Sequence, residues 1–361
     1  VIKREILKYR DKHAMVISFV NGKWDIQNHQ EMKTNRGASA LTTERTMKLY
    51  GVCEEKYFPR KPNETEWELM NSKIPEAAEK NALKHRLEYY QRLYTPEEIK
   101  YALYYFHAAS LSVDIFESIL AAPKGRVPLP KEEEKSMGQH CVAAIGYDQE
   151  GVYFANSWGR KWGDNGIGFF SWEYIEKYLI ESWAQNMFVY TLTWNRLFNL
   201  KVWKTFFEQR KLRKVMKTGS WQDKRSAPIF YEILNVPPLN PSHGSLFILN
   251  FFDEREKNKK KGGWLHFSKK EDQIEIEDLF VDDKNRNCGW ATEMLSILTL
   301  VAKANGAKKL IGWISAEDIY DEYTQKGIER LFKDNGFDVE QDTSRFRGSI
   351  LRVEKNILPT S

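Results

Sequence analysis

Two short apolar runs, Val142 to Tyr147 and Val152 to Ala155, stand either side of Asp148-Gln149-Glu150-Gly151. A turn-forming tetrad between two β-prone segments leaves the chain little choice but an antiparallel hairpin. The hairpin opens on Gly138-Gln139-His140-Cys141 and closes on Asn156-Ser157-Trp158-Gly159. Its turn therefore carries the His140 and Asn156 side chains to neighbouring strands, within reach of one another. An imidazole that is to take a proton from a thiol needs a fixed tautomer and orientation. A neutral side-chain amide supplies both through one hydrogen bond without adding charge. Trp158 is placed to shield that bond, and the glycines of Gly163-Asp164-Asn165-Gly166-Ile167-Gly168 allow tight turns close by.

The hairpin is one part of a 361-residue chain, a length that predicts two domains. With 42% hydrophobic and 29% charged residues, the composition is that of a folded globular protein. The longest apolar stretch, Met294 to Ala302, falls short of a bilayer, and no charged-then-apolar leader opens the sequence. No membrane partner is expected, and the expected location is cytoplasmic. A net charge of +5 spread over this surface gives no reason to expect nucleic acid. Cys53, Cys141 and Cys288 lie far apart, without a disulfide framework or metal-ligand spacing, so no metal is expected. The first residue is Val1 rather than Met, which predicts a start further upstream.

His140, Ala143-Ala144-Ile145-Gly146-Tyr147-Asp148, Asn156-Ser157-Trp158-Gly159 and Trp162-Gly163-Asp164 together resemble the C-terminal lobe of a papain-like cysteine peptidase. Arg36-Gly37-Ala38-Ser39, Tyr50-Gly51-Val52-Cys53-Glu54-Glu55, Phe58-Pro59 and Gly125 to Pro130 resemble bacterial members, so the likeness runs over about residues 35 to 190. It implies that His140 is the catalytic base, Asn156 its orienting partner, and a peptide or protein the substrate. In this family the active cysteine lies about 130–150 residues before the histidine. Counting back from His140 reaches or passes Val1, so the nucleophile is expected upstream, with Val1, Ile2, Ile6, Leu7 and Tyr9 as the remainder of its helix. Cys53 matches a structural position of the family, and Cys141 points to the strand face opposite His140. As given, this lobe is not expected to cleave peptide bonds.

Asn199 to Thr218 sets Val202, Trp203, Phe206 and Phe207 at helical spacing among seven basic residues and reads as a connecting helix with a solvated face. Beyond it, Gly244 to Phe252, Trp264 to Ser268 and Ile274 to Val281 read as strands, the first two joined by a lysine-rich turn. Then come Arg286-Asn287-Cys288-Gly289-Trp290-Ala291 and an apolar helical run ending at Asn305-Gly306. Strand, glycine-containing loop, helix is an anion-binding order, because amides at a helix N-terminus point outward and carry partial positive charge. With a strand at Lys309 to Ile314, a helix at Lys326 to Lys333 and a strand at Ser349 to Val353, the order resembles the general N-acetyltransferase (GNAT) fold.

That resemblance implies acetyl-CoA as substrate. Arg286, Asn287, Cys288, Gly289, Trp290 and Ala291 would hold the pyrophosphate, and the backbone of Leu279, Phe280 and Val281 the pantetheine arm. Glu275 and Glu277 project from one strand face, either as a solvated face or with Glu277 as the base that deprotonates an amine acceptor. Many relatives carry a tyrosine acid where this chain has Phe332, leaving Tyr320, Tyr323 or water. The segment before Gly244, with Pro237, Pro238 and Pro241, is too short for the two acceptor-selecting helices. The expected fold class is thus α+β: a papain-like fold incomplete at its N-terminus over 1–194, a basic helical linker over 195–225 and a GNAT α/β acyltransferase fold over 226–361. The alternative is a catalytically inactive papain-like peptide-binding module attached to an acyltransferase or a degenerate GNAT domain.

Overall fold

The computed structural model describes residues 40–59, 74–187, 214–236, 244–254, 261–315, 322–342 and 349–357. The chain divides into two compact units, Val1–Leu197 and Phe198–Ser361. The expected helical remainder at residues 1 to 9, the helical spacing at 199–213, Tyr320 and the tip of the lysine-rich turn fall outside the described residues.

The first unit holds helices α1 (Ala40–Leu49) and α2 (Glu76–Ala82), strand β1 (Leu87–Leu93), helix α3 (Pro96–Phe106), strands β2 (Ala109–Phe116), β3 (Ser136–Tyr147), β4 (Gly151–Ala155) and β5 (Ile167–Ser171), helix α4 (Trp172–Tyr178) and strand β6 (Leu179–Met187). The strands form one sheet in the order β1-β6-β2-β3-β4-β5, every neighbouring pair antiparallel. Helix α3 starts where Thr95 makes a capping box: Thr95 Oγ1 accepts from Glu98 N at 3.2 Å and Glu98 Oε2 from Thr95 N at 3.3 Å. The β3–β4 turn is held by Asp148, whose Oδ1 accepts from Glu150 N at 2.8 Å and Gly151 N at 3.0 Å.

The second unit carries β7 (Lys214–Gln222), β8 (Pro228–Val236), β9 (Ser245–Asp253), β10 (Lys261–Lys270), β11 (Gln273–Val281), α5 (Trp290–Ala304), β12 (Lys309–Ser315), α6 (Glu322–Asp334), β13 (Asp338–Gln341) and β14 (Ser349–Asn356). They build one sheet in the order β13-β14-β12-β11-β10-β9-β8-β7, antiparallel except for β11 and β12. That parallel pair requires a crossover, which α5 supplies. Trp290, Met294, Leu295, Ile297, Leu298 and Ala302 are the buried stripe that seats α5 on the sheet.

One expectation is corrected here. Lys214 to Gln222, read as the end of a basic helix and linker, is a strand paired with β8 from Lys214–Asn235 to Gln222–Pro228. Pairing along a whole neighbouring strand outweighs a helical spacing that a few aromatic residues suggest. The sheet of the second unit therefore begins at Lys214, before the expected boundary at 226.

Candidate functional sites

Strand register sets the first constellation. Ala143 pairs with Ala155, so Asn156, one step beyond β4, lies diagonal to His140 across the ladder. Diagonal neighbours stand roughly 7–8 Å apart at Cα, a gap two polar side chains can close. His140 Nε2–H donates to Asn156 Oδ1 at 3.0 Å. Ser157 N donates to the same oxygen at 2.8 Å, which fixes the amide with its oxygen toward both donors. Flipped, the NH₂ group would face the Ser157 N–H, donor against donor. Asn156 is 1% exposed, and its Nδ2 is buried with no acceptor among the described residues. Its backbone N donates to Gly166 O at 2.9 Å.

The bond commits His140 to the tautomer with the proton on Nε2 and the lone pair on Nδ1. The Trp158 ring stacks on the imidazole at 4.8 Å and 29° between planes, and Trp162 meets Trp158 edge-on at 5.6 Å. Trp162 is anchored in turn by its Nε1–H, which donates to Ile119 O at 3.0 Å. Gly163 turns the chain beneath it with φ +61°, where a Cβ would stand 2.5 Å from Ile167 O. Burial pushes the His140 pKa below its ordinary value, and the Asn156 bond opposes that shift. Near neutral pH the ring is thus a neutral base with its free nitrogen fixed in direction.

None of the three cysteines completes the site. Cys53 is 2% exposed, and burial pushes its thiol up. Cys141 lies on the strand face away from His140, as expected, and Cys288 is buried in the second unit.

In the second unit, β11 stays paired with β10 as far as Val281–Gly263, but its pairing with β12 ends at Ile276–Gly312. The parallel ladder therefore stops short of Leu279, Phe280 and Val281. The fork carries a bulge: His266 pairs with Asp278 and Phe267 with Ile276, leaving Glu277 as the extra residue. Ile274 and Ile276 before the bulge, and Leu279 and Val281 after it, all face the core. Glu275, Glu277 and Asp278 are thereby on the other face, and Glu277 is the first residue past the last parallel pair.

After β11 the chain turns through Asp282–Gly289 into α5. Asn287 at φ +60° and Gly289 at φ +89° take left-handed backbone, Gly289 as the N-cap. Arg286 and Asn287 are exposed, Gly289 and Ala291 half-exposed, Cys288 and Trp290 buried. The Cys288 and Trp290 side chains are core, so these two can serve an anion through backbone amides alone. Phe332, where a tyrosine was sought, is buried against Phe337.

Sequence reasoning missed the node that holds this loop. Asp223, 4% exposed, accepts from Arg225 Nε at 2.8 Å, Ala227 N at 3.0 Å and Trp290 Nε1 at 3.2 Å. Arg225 reaches on to Lys284 O at 3.1 Å and Asn285 Oδ1 at 3.0 Å. Burial works to raise the Asp223 pKa, but the Arg225 bonds and those from Ala227 and Trp290 overcome it and bring it to about 2. The available signal was Asp-x-Arg in the turn between two strands.

Residues 25–185 match the family profile described as papain family cysteine protease. That stretch is a papain-family, cysteine-peptidase-type domain. The uncharacterized peptidase C1-like protein L477 of Acanthamoeba polyphaga mimivirus is 30% identical over 153 residues, 38% of this chain and 48% of the relative. The chain thus spans about half the length of the curated relative it matches. Among solved structures, xylellain, a cysteine protease from Xylella fastidiosa, is similar at 22% identity and TM-score 0.42, over 48% of this chain and 69% of that one. A GNAT-family acetyltransferase from Staphylococcus aureus Mu50 is similar at 12% identity and TM-score 0.27, over 32% of this chain and 71% of that one. No helix among the described residues is long and apolar enough to cross a membrane.

Proposed function

We propose that the first unit is a peptide-directed domain in which His140 is the base and Asn156 its orienting partner. The reading is carried by the 3.0 Å bond from His140 Nε2–H to Asn156 Oδ1, with Ser157 N locking the amide. Asn156 holds the ring, Trp158 keeps water from the bond, and Nδ1 is left to take a proton from a thiol. Cys53 and Cys141 do not supply that thiol, which is expected from a cysteine upstream of Val1; residues 1–361 alone should bind peptides without cleaving them. Fluorescence anisotropy with labelled hexapeptides, alongside mass spectrometry for cleavage products, tests both halves. Binding without products is expected. Turnover that disappears in Cys53→Ser or Cys141→Ser, or the absence of any binding, would refute the reading.

A second activity is favoured by the fork between β11 and β12. We propose that the second unit is an N-acetyltransferase that takes acetyl-CoA as substrate and an amine as acceptor. The backbone of Leu279, Phe280 and Val281, beyond the last β11–β12 pair, would bond the pantetheine arm. Arg286, Asn287 and Gly289, with the backbone amides of Cys288, Trp290 and Ala291, would hold the pyrophosphate at the start of α5. The loop suits the anion: Gly289 takes a conformation that disfavours a side chain, and both cysteine and tryptophan turn inward. Glu277, at the mouth of the fork, would take the proton from the amine, which would then attack the thioester carbon; the C–S bond breaks as the amide forms, and coenzyme A leaves as a thiolate that water protonates. Isothermal calorimetry with coenzyme A and the chain tests the cradle, and no heat of binding at millimolar ligand would sink it. Glu277→Gln should then keep coenzyme A affinity while slowing acetylation of an accepted amine by about 10²–10⁴-fold.

A further inference from the structure

The β7–β8 hairpin ends in a tip, residues 223–227, that docks on the loop leading into α5. Ser226 N donates to Asp223 O at 2.8 Å and closes the turn, with Ser226 itself in left-handed backbone at φ +57°. Three consecutive residues of the tip are tied to that loop or to the helix start. Asp223 accepts from Trp290 Nε1, Lys224 N donates to Cys288 O at 3.1 Å, and Arg225 donates to Lys284 O and Asn285 Oδ1. Asp223 is buried and Arg225 is its ion pair, so the acid of the tip is answered within the tip.

The Lys224 side chain takes no part in that network. It is exposed and makes no hydrogen bond or ion pair among the described residues. Its backbone is not in left-handed conformation, so the turn itself does not call for a cation there. Its place is nevertheless defined. A Cβ on Gly289, the N-cap of α5, would stand 3.6 Å from both Cγ and Cε of Lys224 and 3.5 Å from Cη2 of Trp221. The lysine stem therefore passes along the open side of Gly289, with the edge of the Trp221 ring beside it. Nζ lies one C–N bond, about 1.5 Å, beyond Cε, which brings the ammonium to within about 5 Å of that point. The first turn of α5, whose amide hydrogens have no partner within the helix, begins at the same residue.

We infer that Lys224 binds the donor substrate, pairing its ammonium with the pyrophosphate of coenzyme A, and that β7 serves to deliver it. The inference rests on reading the start of α5 as the coenzyme A cradle and adds a residue from outside the 286–291 loop. Helix amides offer only partial positive charge, whereas a pyrophosphate diester carries two full negative charges. A lysine held over the N-cap by its own backbone supplies a full charge where the amides point. Arg225 cannot take that part, since Asp223, Lys284 O and Asn285 Oδ1 already hold its guanidinium.

The test is isothermal calorimetry of the 361-residue chain with coenzyme A and with dephospho-coenzyme A, which keeps the pyrophosphate but lacks the 3′-phosphate. Lys224→Gln should weaken both ligands by about fivefold, and Lys224→Arg should stay within about twofold of the unaltered chain. An exposed ion pair is screened by salt, so the fivefold gap should narrow to about twofold in about 0.5 M sodium chloride. A loss confined to coenzyme A would assign Lys224 to the 3′-phosphate, and a loss that salt does not reduce would make its role structural. Either result overturns the inference, as does unchanged affinity in Lys224→Gln, and in each case the acetyltransferase reading stands. If coenzyme A does not bind the unaltered chain, both fall.

Discussion

Replacing Asn156 by leucine removes the acceptor facing His140 while filling nearly the same volume, so the ring stays as dry as before. The consequence can be worked from the bond itself. A hydrogen bond to an ionised group is roughly twice as strong as a neutral one, whose net worth is about 1 kcal/mol. The Asn156 carbonyl thus favours the imidazolium over the imidazole by about 1 kcal/mol, or roughly 0.7 of a pKa unit. With that opposing contribution gone, burial acts alone, and the already lowered His140 pKa should fall further, by about 0.5–1 unit. The linkage follows in sign: a histidine held below its ordinary 6.5 in the fold binds fewer protons than in the unfolded chain. Stability therefore rises with pH through that region and is lost as pH falls, more steeply in Asn156→Leu. The assay is a proton–carbon NMR titration of the imidazole Cε1–H, assigned through His140→Gln, with the ring ¹⁵N shifts reporting the tautomer. A single Nε2–H tautomer in the unaltered protein and a mixture in Asn156→Leu are expected. A pKa that stays put or rises, or a mixture before the substitution, would refute the argument.

Gly168→Ala should lower stability by about 1–3 kcal/mol, since its Cβ would stand 2.3 Å from the Phe154 ring and 2.6 Å from Trp162; an unchanged urea midpoint would show that the tryptophan gives way freely. Glu44, raised by burial from 4.5 to about 8, holds its proton more tightly folded than unfolded, so stability should fall as pH rises between those values. Glu44→Gln should flatten that slope, worth at most about 5 kcal/mol, and a slope unchanged in thermal melts would refute it. Asp223 has the opposite sign: its contribution is present above pH 3.8 and lost as pH falls toward about 2. Asp223→Asn should remove that acid limb and loosen the Arg286 loop, seen as faster amide exchange at Cys288 and Gly289.

What could be read from the amino-acid order divides by the distance over which the cause acts. The β3–β4 hairpin was legible because its turn and its two apolar runs are contiguous, and the register of a short ribbon then fixes the His140–Asn156 pair. The capping box before α3 was legible for the same reason. Lys214 to Gln222 was not, because a strand whose residues are nearly all exposed shows no apolar alternation, and its identity is set by β8, which pairs with it. Cys288 and Trp290 stood inside the anticipated loop, yet which way a side chain turns in the first turn of a helix depends on what the sheet and Asp223 offer it. Glu44 was equally hidden. It stands between Leu41 and Met47, and with Thr46 and Lys48 also buried, the helical pattern of α1 lacks the apolar stripe from which its inward face could be read. Only the fold pairs Glu44 with Ser110 and Gln185, on strands far away in the chain, so neither its burial nor its partners could be read from the helix alone.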